Sequence, residues 1–204
     1  MNMKNKTLGF AKIIVTAALF SVLFFSCAGK KNPAASSFGP VYVTNSNKIF
    51  LLYPSSITDS LDNLFLFTGR FGGNTFTAQL YLYADDSELS LELMNDFGIS
   101  MGSLSYTESS LDFNSSVFPR ELKGEYVVSD IQAAFYDFDT LSYNFECAGL
   151  KFLRSVEEGR EVRTIEKEKN GASEKIETIT LSDGKIVIEN HLRGYSYQLD
   201  LLEE

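Results

Sequence analysis

The sequence contains no tryptophan, one histidine and two cysteines among 204 residues. A lone His191 excludes a multi-histidine zinc site and any histidine pair. There is no G-x-S-x-G elbow, no GxxxxGK[ST] loop and no GxGxxG turn. The chain thus carries no recognisable cofactor or metal motif. His191 stands near the end of a predicted strand, in IVIENHLRGY, where a surface role is expected. The adjacent carboxylates Asp85–Asp86 and Glu157–Glu158 fall in predicted turns, where water solvates them. An acid/base pair needs burial in a cleft to tune its members. These absences favour a binding or structural protein and speak against an enzyme.

Basic charge and long apolar runs are also scarce. Lys and Arg number 18 against 27 Asp and Glu, a net charge of −9. Nucleic acids and anionic membrane surfaces both reward basic patches, so neither is an expected partner of the folded part. The one apolar run, Ile13 to Phe25, is 13 residues broken by Thr16 and Ser21. As a helix it would reach ~20 Å at ~1.5 Å per residue, whereas a bilayer span needs roughly 20 residues. Lys4, Lys6 and Lys12 precede it and small residues follow, the pattern of a secretory signal peptide.

Cys27 stands where that run stops, in LFFSCAGKKN. Leu23, Ser26, Cys27, Ala28 and Gly29 resemble the lipobox of bacterial lipoproteins, with Phe24 and Phe25 in place of the commoner small or aliphatic residues. The resemblance implies cleavage before Cys27 and lipidation of its sulfur. The alternatives are an ordinary signal peptide with a chance cysteine, or a retained anchor helix. Residues 1–26 read as the signal peptide, 27–40 as the lipidated N-terminus and flexible tether, and 41–204 as a single domain. Cleavage leaves 15 basic and 27 acidic residues, a net charge of −12. With Cys27 acylated, Cys147 has no disulfide partner and is expected as a small buried or half-buried apolar residue.

From residue 60 onward the sequence alternates with a period near two. Phe76, Ala78, Leu80 and Leu82 interleave with Thr77, Gln79, Tyr81 and Tyr83, and Leu89, Leu91 and Leu93 with Glu88, Ser90 and Glu92. Gly and Asx breakers separate the runs, including the hairpin dipeptides Asn170–Gly171 and Asp183–Gly184. Strands are predicted near 62–71, 75–84, 88–95, 99–106, 110–115, 142–147, 150–156, 161–169, 174–181, 185–191 and 195–202. The period switches once. Ile131, Ala134, Phe135 and Phe138 form one helical stripe, preceded by a Ser129/Gln132 capping box. The fold class is mainly β (α+β): an antiparallel incomplete barrel of about 10–11 strands wrapped around one central helix. Some strands are apolar on both faces, Leu64 and Leu66 against Phe65 and Phe67, so both faces are expected to be covered.

The runs DDSELSLELMNDFGISMGSLSYTESSLDF, VFPRELKGEYVVSDIQAAFYDFDTL and IVIENHLRGYSYQLDL resemble a family of uncharacterised bacterial lipoproteins. That family is similar in fold to LolB, the outer-membrane receptor for lipoproteins. Tyr136 stands where many of its members carry tryptophan. The resemblance implies a LolB-like half barrel with an apolar cavity that receives acyl chains from a periplasmic carrier protein. It also implies a protruding apolar loop; in DFGIS, Phe97 and Ile99 either form such a tip or pack inward. The candidate cavity lining is Leu80, Leu82, Leu89, Leu91, Leu93, Ile131, Phe135 and Phe138, although alternation leaves open which strand face is inside.

The expected protein is therefore anchored to the membrane by its N-terminal lipid and binds an acyl-bearing ligand, a lipoprotein or a lipid. Ala28 after the cysteine, by resemblance to enterobacterial sorting, implies the periplasmic face of the outer membrane. The alternative is a structural or interaction lipoprotein whose core is filled by its own side chains.

Overall fold

The computed structural model describes residues 38–202. The signal peptide, Cys27 and the tether as far as Ser37 lie outside the described residues. Phe38, assigned to the tether by composition, packs edge-on against Tyr106 with ring centroids 5.8 Å apart.

The alternating segments form one ten-stranded antiparallel sheet. Two residue pairs, β1 (Val41–Tyr42) and β2 (Lys48–Ile49), make a small separate hairpin. Then come β3 (Leu61–Phe71), β4 (Asn74–Ala84), β5 (Glu88–Met94), β6 (Ser100–Thr107) and β7 (Leu111–Ser115). After two helices the chain returns as β8 (Lys151–Glu157), β9 (Arg160–Lys169), β10 (Ala172–Ser182), β11 (Lys185–Asn190) and β12 (Tyr195–Leu201). The sheet order is β7-β6-β5-β4-β3-β12-β11-β10-β9-β8. Two five-stranded meanders therefore meet at the β3–β12 pair, and β7 and β8 are the edges of the sheet among the described residues. The barrel is incomplete, as its sequence implies.

Cross-strand register aligns one apolar face. Phe65 opposes Leu80, which opposes Leu93; Leu82 opposes Leu91, which opposes Leu104. Leu80, Leu82, Leu89, Leu91 and Leu93 are all buried, so the leucine face is the inner one. The other face is not fully covered. Leu66 remains 40% exposed and Tyr81 37%, with the Tyr81 hydroxyl donating to Asp62 at 2.7 Å. The expectation that both faces are buried is corrected: the phenol keeps its oxygen in water while its ring shields neighbouring strand. Gly69 is required by packing, because a Cβ there would lie 2.9 Å from the rings of Phe67, Phe71 and Phe76.

Two helices, not one, join the edge strands: α1 (Gly124–Phe135) and α2 (Phe138–Cys147). The predicted strand at 142–147 is helical. Asp137 caps α2, its Oδ1 accepting from Thr140 N at 2.8 Å and Thr140 Oγ1 at 2.7 Å. Gly149, at φ 72°, ends it, with Leu150 N–H donating to the Phe145 carbonyl. Leu141 and Phe145, buried four residues apart, were the available signal.

The capping box is also corrected. α1 starts five residues before Ser129, with Lys123 at its N-cap and no side-chain cap. Ser129 and Gln132 are buried inside the helix. The stripe breaks as well: Phe135 ends α1, Phe138 opens α2, and both are half-buried. α1 is buried nearly all round because the sheet covers one side and the 41–57 segment the other. Leu51 and Leu52 there are fully buried. That segment is tied by side-chain amides. Leu52 N donates to Gln132 Oε1 at 3.0 Å, Gln132 Nε2 to Leu52 O at 2.8 Å, and Asn144 Nδ2 to Phe50 O at 2.9 Å.

Candidate functional site

The inner face of β4, β5 and β6 meets α1 across a small cavity of about 30 Å³. Leu80, Leu91, Leu93 and Ile131 line it, together with Phe67, Leu104, Phe118 and Tyr197. Of the other expected lining residues, Leu82 and Leu89 are buried on the same sheet face away from the cavity. Phe135 and Phe138 do not reach it; Phe138 stacks on Phe152 of β8, 5.1 Å between centroids. Phe135 ends α1 beyond the part that meets the cavity, and the break at Tyr136–Asp137 carries Phe138 over to β8. The lining exposes no polar surface. About 10–15 Å³ suffices for one water, so the space holds a group or two of that size, not an acyl chain.

A larger, open cleft of about 560 Å³ lies nearby. Phe71 and Asn74 from the β3–β4 hairpin, Pro119 and Leu122 from the β7–α1 connection, Tyr126 from α1, Arg193 from the β11–β12 turn and Tyr195 from the start of β12 surround it. Arg193 is fixed there. Its guanidinium donates to the carbonyls of Tyr42 and Val43 and sits 4.2 Å from the Tyr126 ring centroid.

Behind Tyr195 lies a polar cluster that periodicity did not reveal. Asp130 of α1 and Glu177 of β10 are each only 3% exposed. Tyr195 Oη donates to Asp130 Oδ2 at 2.8 Å, and Asn190 Nδ2 donates to Glu177 Oε2 at 2.9 Å. Burial and the neighbouring Glu177 push the Asp130 pKa well above the usual carboxylate range. Burial pushes Glu177 up to about 7, against the pull of Asn190, Asp130 and Arg193. Glu177 Oε1 is buried with no hydrogen-bond donor among the described residues, beside an Asp130 carboxyl that burial holds toward its neutral form. The signal for Glu177 was a break in alternation. A register shift between Lys175 and Glu177 buries Ile176 and Glu177 side by side.

Phe97 is 87% and Ile99 62% exposed. Asn95 Oδ1 accepts from both their N–H groups at 3.0 Å, and Gly98 takes φ 72°, so the turn itself presents the two side chains outward. Cys147 is exposed at the end of α2, a correction to its expected burial. The last turn of that helix turns Leu141, Asn144 and Phe145 inward and leaves residue 147 outside. His191 is exposed and pairs with Thr178 Oγ1 at 2.8 Å. Asp85 organises its turn, with Oδ1 accepting from Ser87 N and Oγ and from Glu88 N. No group of three or more metal-ligating side chains occurs, and no helix is long and apolar enough to cross a membrane, among the described residues.

A family model described as "Protein of unknown function (DUF3261)" matches residues 66–203, from β3 through the last strand. The chain belongs to the DUF3261 family. The match takes in both helices and every strand that lines the cavity and the cleft. No curated protein matches this DUF3261 chain. Two of the solved structures that match it overlap it weakly. One is a DUF1329 family protein from Desulfovibrio piger, 11% identical over 74% of this chain and 87% of that one, TM-score 0.30. The other is a candidate outer membrane lipoprotein-sorting protein domain from Vibrio parahaemolyticus, 12% identical over 71% and 83%, TM-score 0.30. Overlap at that level decides nothing about the function of the DUF3261 chain.

Proposed function

We propose that the protein is a lipid-anchored envelope protein that accommodates an acyl-bearing ligand, a lipid or a lipoprotein, on the concave face of its half barrel. One observation carries the reading: Leu80, Leu91, Leu93 and Ile131, with Phe67, Leu104 and Phe118, bound a cavity on the inner sheet face whose exposed surface is entirely apolar. Such a wall favours hydrocarbon, at roughly 0.8 kcal/mol per buried methylene. The outward Phe97 and Ile99 tip supports contact with a lipid surface, as a LolB-like receptor requires. Cys27 provides the anchor and Ala28 the outer-membrane address. Binding, not catalysis, is the role, with no nucleic acid among the partners and a periplasmic carrier as the donor of a lipoprotein ligand.

A specific observation favours the second reading, a structural or interaction lipoprotein. At about 30 Å³ the cavity is largely filled by its own walls. Native mass spectrometry of the domain made without residues 1–27 separates the two. A co-purified or added fatty acid bound at one-to-one stoichiometry supports the carrier. A ligand-free mass that does not change with added fatty acid supports the self-filled core.

A further inference from the structure

The cavity and the cleft are separated by aromatic rings. Phe118 lines the cavity, while the next residue, Pro119, lines the cleft. The Phe118 ring stands 5.5 Å from Phe71, 5.7 Å from Phe76, 6.0 Å from Phe67 and 6.4 Å from Tyr197, all centroid to centroid. Phe71 in turn lines the cleft and Tyr197 the cavity. Phe118 is thus one side of the partition and the strand aromatics are the other.

The two sides differ in how they are held. Phe67, Phe71, Phe76 and Tyr197 sit on β3, β4 and β12, in the middle of the sheet. Phe118 sits on the irregular segment 116–123 between β7, an edge strand, and α1. That strap is tied at its start. Val117 N and Phe118 N both donate to Ser115 Oγ, and Ser116 donates to the Met101 carbonyl. Among the described residues no backbone hydrogen bond joins 118–121 to the sheet. Phe118 is also only half-buried. Few bonds and partial burial mark a segment that opens locally before the rest of the domain does.

We propose that Phe118 is a movable partition, and that cleft and cavity are one binding site for a single-chain amphiphile. This rests on the acyl-binding reading above and adds its route and its gate. The chain enters through the cleft past Leu122 and Tyr126, takes the place of the Phe118 ring against Phe67 and Tyr197, and ends at Leu80, Leu91 and Leu93. The apolar area that the ring leaves is covered again by methylenes, so opening and filling are coupled. The head group stays at the mouth, where Asn74, Glu121 and Arg193 offer hydrogen-bonding groups. The empty form is closed because the ring is its own stand-in for the ligand.

The absence of tryptophan makes this directly testable. The full mature chain carrying Phe118→Trp in lipid nanodiscs has a single reporter in the partition. Phe138→Trp, between α2 and β8, is the control. Dibromostearate is expected to quench and red-shift the indole emission of the Phe118→Trp chain and leave the control unchanged. Phe118→Ala is expected to speed association of a fluorescent fatty acid about tenfold. If the wild-type chain binds the fatty acid while the partition reporter is unquenched and the alanine variant associates at the wild-type rate, the gate is wrong and the acyl-binding reading stands. If neither wild type nor variant binds it, both fall. Equal quenching at both positions reports the bilayer alone and also overturns the proposal.

Discussion

Gln132 does by side chain what a neighbouring strand would do by backbone. Its amide accepts from Leu52 N–H and donates to Leu52 C=O, at 3.0 and 2.8 Å, in a region where both partners are buried. Tyr106 Oη donates to the same Leu52 carbonyl at 2.9 Å. Removing the amide leaves the Leu52 N–H without a partner and the carbonyl with one fewer, and each buried unpaired group costs about 1–3 kcal/mol. Gln132→Ala is therefore expected to destabilise the domain by about 2–4 kcal/mol. Phe135→Ala, at a half-buried helix end, should cost less than the ~3–5 kcal/mol of a fully buried phenylalanine. Urea unfolding of the two variants gives the order. A smaller loss for Gln132→Ala than for Phe135→Ala would show that Leu52 finds another partner.

At the scale of elements, α1 is docked by apolar contact and held by three polar ties. Arg163 of β9 closes its C-terminus, Nη1 donating to the Ala133 and Tyr136 carbonyls at 3.1 Å. Gln132 is the second. The third, the Asp130–Glu177 pair with Tyr195 and Asn190, joins α1 to β10, β11 and β12 and is sensitive to pH. Glu177 is raised from 4.5 to about 7, chiefly by burial. Between those values the folded chain keeps a proton that the unfolded chain releases, so stability falls as pH rises through this window. The Glu177 contribution is intact below about 4.5 and is lost as pH rises through about 7. Asp137 acts oppositely. Thr140 holds its pKa below the usual value, so its contribution is lost only in acid. The urea midpoint is expected to be lower at pH 8 than at pH 5.5, and because burial holds Asp130 as well as Glu177 above its ordinary value, the double variant Glu177→Gln/Asp130→Asn should remove most of the difference. An unchanged slope in that variant would place the titrating group elsewhere.

The described domain, residues 38–202, is an open sheet whose edge strands are joined by its middle. Helices α1 and α2 connect the two edge strands, and the 41–57 segment covers the helices in turn. Phe97, at the tip of the β5–β6 turn, is the most exposed large apolar side chain among the described residues. Anchoring belongs to this scale, because a lipid on Cys27 would fix the domain near a bilayer through a tether. Cys27→Ser is expected to abolish palmitate labelling and to accumulate uncleaved precursor. Unchanged labelling overturns the anchor. Recovery of the wild-type chain with the inner membrane in a sucrose gradient would overturn the outer-membrane assignment.

Sequence alone determined the ten strands of the sheet to within two residues at each end, their antiparallel pairing and the break in the middle. Those follow from local rules: a period of two, and Gly or Asx residues that accept positive φ, as at Asn170 and Gly171. Four of the eight expected lining residues, Leu80, Leu91, Leu93 and Ile131, meet at one cavity. Only the tertiary structure decided that the leucine face is the inner one, since alternation is symmetric between faces until something covers one of them. It likewise decided that Gln132 and Asp130 are interior. A helix buried from two sides has no polar stripe, and its polar residues are explained by partners 80 and 47 positions away in the chain, at Leu52 and Glu177. The misplaced strand at 142–147 has the same origin. SYNFEC alternates locally, but the Asp137 cap and the docking of Leu141 and Phe145 make it a helix, because packing against β8 outweighs a six-residue pattern.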